Sequence, residues 1–187
     1  MEEWEGREQC EAAPSRQYVR CLFCSTGNEE AVVAAIHRKG WGQAIFPQRA
    51  YNRWRYGEWL EQLVPLLPGY VFVYSQEEKT PYRQWLELRH VIRVLRYPEG
   101  EEWLRGRDLE FAQWLWKLNG KVGVMKALQV GDEIQIVDGV FKSLNGVVAR
   151  MDRRRKTIQV RLNTQGFIRQ IWLTYQVVEK LEAGAGA

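Results

Sequence analysis

The chain has 187 residues, enough for one medium domain or two small ones, and a hydrophobic content of 45% with nine tryptophans excludes global disorder. Charged residues reach 27% and the formal net charge is +4, a value whose distribution says more than its size. No apolar run approaches the roughly 20 residues that a membrane helix needs. The polar start MEEWEGREQCEAAPSRQ lacks the apolar stretch of a signal peptide, so the expected compartment is the cytoplasm.

Residues 1–16 read as a mobile N-terminal extension. YVRCLFC (18–24) reads as a strand, and a helix follows it. Asn28 is its expected N-cap, Glu29 and Glu30 suit the positive end of the dipole, and Ala31, Val32, Ala35 and Ile36 form the apolar stripe. Gly40 ends this helix. AIFP is a short strand, YNRWRYGEWLEQLV is a hairpin turning at Gly57, and GYVFVY (69–74) is a central strand. TPYRQWLELRH (80–90) predicts a helix with Thr80 at the N-cap and Pro81 at the first position, burying Tyr82, Trp85, Leu86 and Leu88. VIRVLRY (91–97) alternates as a strand, and RDLEFAQWLWKL (107–118) predicts a helix burying Leu109, Ala112 and Trp116. The order predicts an α+β unit over residues 17–119, an antiparallel sheet with packed helices.

NGKVGVMKALQ holds two glycines and no clear period, and residues 120–128 read as a linker. Beyond it lie five short segments, DEIQIV, NGVVARM, TIQVRL, RQIWL and VVEKL, with turn residues between them. This spacing predicts a small all-β barrel over 129–182, followed by a flexible tail at 183–187.

The chemistry-bearing residues are few. Cys21 and Cys24 form a C-x-x-C, but residues three apart on a strand face opposite ways and no second pair completes a metal set. They read as small strand residues. The two histidines, His37 and His90, join no catalytic set, and no glycine-rich phosphate cradle is present. The expectation is a non-enzyme without cofactor or metal.

Charge is clustered. Residues 129–182 hold nine Lys/Arg against six Asp/Glu, whereas the first 128 hold 18 against 17. The excess is focused in Arg153, Arg154, Arg155 and Lys156, between two alternating runs that predict a hairpin. Four adjacent cations repel one another. Either solvent absorbs that cost or a polyanion does.

Two motifs carry a family resemblance. VGDEIQIVDGVFKSLNGVV resembles a KOW motif: Gly131-Asp132 opens the first strand, Asp138 to Phe141 makes the loop, and Gly146 starts the second strand. LVPLLPGYVFV resembles the PGYV strand of NusG N-terminal (NGN) domains, preceded by an aromatic-bearing strand and an acidic-start helix as in that family. Together they cover about residues 18–182, and the chain is identified as similar to NusG-family transcription factors. MDRRRKTIQV further resembles the charged hairpin of the LoaP-type antiterminators, specialised paralogues within that family.

The resemblance implies an NGN-type sheet domain, a C-terminal KOW (SH3-like) barrel, and a monomer that acts in processive antitermination. It implies binding to RNA polymerase through Leu66, Leu67 and Tyr70, and to a leader RNA hairpin through Lys142, Arg153, Arg154, Arg155 and Lys156. A contact of Arg53 and Arg55 with upstream DNA is a further expectation. Two departures matter. Gln165 in TQGFIRQ stands where general NusG proteins carry an aromatic that helps contact Rho or a ribosomal protein, and HVIRV replaces the family's NTPGV. The alternative reading is a general elongation and termination factor coupling polymerase to Rho or the ribosome. A structural KOW protein of a ribonucleoprotein is a third, against which the long first domain weighs.

Overall fold

The computed structural model describes residues 18–76, 81–130, 133–137, 146–164 and 170–181. Its centre is a four-stranded antiparallel sheet in the order β2-β5-β1-β6, built from β1 (Tyr18–Cys24), β2 (Gln43–Ile45), β5 (Tyr70–Ser75) and β6 (Val91–Val94). Both faces of this sheet are covered. Alternation along β1 and β5 sends Leu22, Cys24, Val71 and Val73 to one side, where Val32 and Ile36 of α1 (Glu29–Lys39) and Trp85 of α2 (Tyr82–Leu86) meet them. Val19, Cys21, Phe72 and Tyr74 go to the other side, against Phe111, Ala112 and Leu115 of α3 (Gly106–Lys117). The buried Tyr74 hydroxyl donates to the Ala112 carbonyl at 2.7 Å and so ties the sheet to α3.

The two cysteines fall one on each side of β1, as strand geometry requires. Burial raises both thiol pKa values, that of Cys24 to about 11 with the nearby Glu29 charge adding to it, so both are held as thiols.

Several local expectations are corrected. Asn28 does not cap α1 with its side chain; its Nδ2 donates to Ser25 Oγ at 3.1 Å. The buried carboxylate of Glu29 instead accepts the Gly27 and Gly69 amides, each at 2.7 Å, and clamps the helix start to the turn before β5. The helix expected over 80–90 is a single turn, α2, with Pro81 at its N-cap; Thr80 lies outside the described residues. It stops early because β6 must start at Val91 to pair with β1, and Leu86 is left 40% exposed. In α3 the buried stripe includes Asp108, Phe111 and Leu115, while Leu109 and Trp116 are half-buried. Asp108 is drawn inward by the hydrogen bond it accepts from the Tyr97 hydroxyl at 2.8 Å.

The stretch read as a linker is ordered into strands. β7 (Lys121–Val122) pairs in parallel with β3 (Gln48–Arg55), and β8 (Met125–Val130) joins a five-stranded sheet with the order β10-β11-β12-β8-β9. The remaining members are β9 (Glu133–Ile136), β10 (Gly146–Asp152), β11 (Thr157–Leu162) and β12 (Gln170–Leu181). RQIWL and VVEKL are thus one strand, not two. Its first part pairs antiparallel with β11, its second part in parallel with β8, and a register shift between Val177 and Glu179 accompanies the change.

β3 and β4 (Glu58–Pro65) form a regular hairpin in full register from Gln48↔Pro65 to Arg55↔Glu58. The apolar core is contiguous between the two halves. Leu67, Phe72, Phe111 and Leu115 belong to the same buried cluster as Met125, Ile158, Leu173 and Tyr175.

Candidate nucleic-acid interface

The four adjacent cations occupy the turn that joins β10 to β11. Asp152 shapes that turn: its Oδ1 accepts the Arg155 amide at 2.9 Å, an Asx-type bond that frees the backbone to reverse. Lys156 closes it in the left-handed region at φ 51°, and its carbonyl accepts the Tyr175 amide at 2.9 Å, which anchors the tip to β12. Arg153, Arg154, Arg155 and Lys156 are all exposed. The Arg155–Asp152 ion pair is long, at 3.9 Å, and open to solvent, so it neutralises little of the cluster.

The tip does not project freely. It lies against the β3–β4 hairpin, where β7 pairs with β3 only at Gln48 and Arg49. Two small cavities lie there. One, of about 280 Å³, is lined by Arg49, Tyr51, Asp152, Arg155, Thr157 and Trp172. The other, of about 270 Å³, is lined by Asn52, Glu61, Arg155, Lys156 and Gln176. Arg155 is a wall of both.

Thr174, fully buried on β12, holds this junction together. Its hydroxyl donates to the Ala50 carbonyl at 2.7 Å and accepts Arg49 Nη1 at 2.9 Å. Arg49 also lies over the Tyr51 ring at 5.3 Å. Burial lowers the pKa of its guanidinium, which marks a cation partly removed from water.

The strand period extends the basic character outward. Arg49, Tyr51, Arg53 and Arg55 share one face of β3. Arg53 and Arg55 are exposed near the hairpin end, beside Tyr56, which is 88% exposed. The expected DNA-contact residues therefore stand in line with Arg49, which the sequence reading did not single out. Trp172, Thr174 and Tyr51 were missed as well. The alternation R-x-Y-x-R-x-R was visible, but its meeting with β12 depends on a contact between residues more than 120 positions apart. Lys142, the loop at 138–141 and Gln165 lie outside the described residues.

The residues expected at a polymerase interface are placed differently from the expectation. Leu66 and Leu67 are buried, at 6% and 8% exposure, within the main core cluster. Tyr70 is half-buried and packs edge-on to Phe23 with ring centroids 5.2 Å apart. Arg93 lies over the other aromatic of that pair at 5.4 Å. Gly69 holds the turn at φ 83°; a Cβ there would meet the Cys24 carbonyl and the Phe23 ring, each at 2.9 Å.

Residues 18–113 match the family model for NusG, described as transcription termination factor NusG. The chain is 24% identical over 144 residues to the transcription termination/antitermination protein NusG of Buchnera aphidicola subsp. Acyrthosiphon pisum (strain APS), covering 74% of this chain and 78% of that one. Among solved structures it is similar to that described as "Domain interaction in Thermotoga maritima NusG", with 20% identity, a TM-score of 0.47, and coverage of 85% of this chain and 94% of that one.

Proposed function

The chain belongs to the NusG family of transcription factors, and from that premise we propose that it is a specialised antiterminator of the LoaP type. In this reading residues 17–119 form an NGN-type unit that binds RNA polymerase. Residues 129–182 form a KOW barrel whose β10–β11 tip binds a structured RNA in the leader of the regulated operon. Lys142 joins Arg153, Arg154, Arg155 and Lys156 in that role, and Arg53 and Arg55 reach towards upstream DNA.

The observation that carries the reading is the tip itself: four exposed adjacent cations on one turn that is anchored to β12. An arginine fork pairs bidentately with phosphate, and a cluster of this size suits the closely spaced phosphates of an A-form hairpin. For polymerase, the surface left by the burial of Leu66 and Leu67 is the Phe23–Tyr70 pair with Arg93. Leu66 and Leu67 then act from beneath, fixing the Gly69 turn.

The test is transcription in vitro with purified polymerase on a template carrying the leader of the operon beside the gene, followed by an intrinsic terminator. The protein raises readthrough, and Arg153→Ala/Arg154→Ala/Arg155→Ala or deletion of the leader hairpin abolishes the gain. Readthrough unaffected by the triple substitution removes the RNA-tip reading. Stimulation of Rho-dependent termination without regard to leader sequence establishes the general elongation and termination factor instead.

A further inference from the structure

The cleft between β3 and the β10–β11 tip has features that phosphate contact at an exposed turn does not require. It places two aromatic rings, Tyr51 and Trp172, and two guanidinium groups, Arg49 and Arg155, around one cavity of about 280 Å³. That volume is at the small end of ligand cavities and suits a single nucleotide rather than a duplex. Aromatic walls with adjacent arginines are the chemistry that holds an unpaired base and its phosphate, through stacking and charge-assisted hydrogen bonds.

The cations are differently prepared. Arg49 is partly desolvated, is fixed by Thr174, and forms no ion pair with a carboxylate among the described residues. Arg155 is exposed and borders both cavities. The carboxylates present are Asp152, whose Oδ1 is occupied by the Arg155 amide, and Glu61 at the second cavity. The second cavity, with Asn52, Lys156 and Gln176, shares Arg155 with the first.

We propose that this cleft binds one unpaired nucleotide of the RNA that the basic tip engages, its base against Tyr51 and Trp172 and its phosphate on Arg49 and Arg155. The proposal rests on the RNA-binding reading above and adds to it a site made jointly by β3 and the barrel. Recognition then requires both halves of the chain, and an RNA helix ending in a single-stranded flank is bound better than a blunt one.

The experiment uses the full chain and two synthetic RNAs: a ten-base-pair hairpin with blunt ends, and the same hairpin with a four-uridine 3′ tail. The tail is expected to raise affinity roughly tenfold, within the range found for stacking of one base on an aromatic side chain. Tyr51→Ala removes that gain while leaving blunt-hairpin affinity unchanged, and Tyr51→Phe restores it. Because Tyr51→Ala also removes packing beside the junction, a tail of 4-thiouridine is photo-crosslinked to the wild-type protein, and the adduct is expected on the peptides that carry Tyr51 or Trp172. Equal affinity of the wild type for tailed and blunt hairpins, or crosslinks confined to other peptides, overturns the cleft but leaves the tip reading standing. No binding of either RNA at low salt overturns both.

Discussion

At the scale of single residues, burial decides what Leu66 and Leu67 do. The LLPGYV stretch was legible as a motif, and its glycine is explained by a left-handed turn with no room for a Cβ. Exposure was not legible. Strand alternation says which residues share a face, not whether both faces are covered, and here each face of the central sheet has its own helices. A charge at Leu67 therefore falls in the core. Leu67→Asp is expected to cost about 3 kcal/mol or more, because it removes apolar packing and strands a carboxylate away from water. Urea denaturation measures this. A midpoint close to the wild type would mean that Leu67 faces solvent, as the sequence alone had suggested. Glu29 shows the same limit: its place in the first helical turn was foreseen, but not its reach across to the Gly69 amide, 40 residues away.

At the scale of elements, hairpins were the most readable features and strand partners the least. The β3–β4 hairpin turns at Tyr56-Gly57, both with positive φ at 53° and 85°, the backbone of a primed two-residue turn. Tyrosine is a poor choice at the first of these positions, whereas asparagine tolerates it. Tyr56→Asn is expected to raise stability by roughly 0.5 kcal/mol, detectable as a small increase in melting temperature. A decrease would show that the exposed ring contributes more to the folded state than the strained backbone removes. β10 and β11 were recognised from their alternation, and so was the charged turn between them. β8 was missed because two glycines precede it and its period is short, although Met125 and Ala127 do alternate inward. β12 was split in two because its middle, Thr174-Tyr175-Gln176, looks like a polar break. There the strand passes from one neighbour to another, and Thr174 turns its hydroxyl to β3.

At the scale of the molecule, the two halves meet through a shared apolar cluster and through the Thr174 junction. Composition could place the charge excess in the last third of the chain, but not the surface it would face. Thr174→Val keeps the shape while leaving the Ala50 carbonyl and the Arg49 guanidinium without their partner. It is expected to lower stability by about 1–3 kcal/mol, the cost of buried groups left unsatisfied. Calorimetry should still give one transition, shifted down; an unchanged midpoint would mean that the hydroxyl holds nothing. The central claim is electrostatic, and a titration of structured leader RNA at several salt concentrations tests it most directly. With four to five phosphates neutralised by the tip and Lys142, the logarithm of the binding constant should fall with the logarithm of salt concentration with a slope of about −3 to −4. The Arg153→Ala/Arg154→Ala/Arg155→Ala protein, folded as stably as the wild type to within about 1 kcal/mol, should bind more weakly and with a slope nearer −1. Equal affinity and equal slope for the two proteins would contradict the assignment of the tip to RNA.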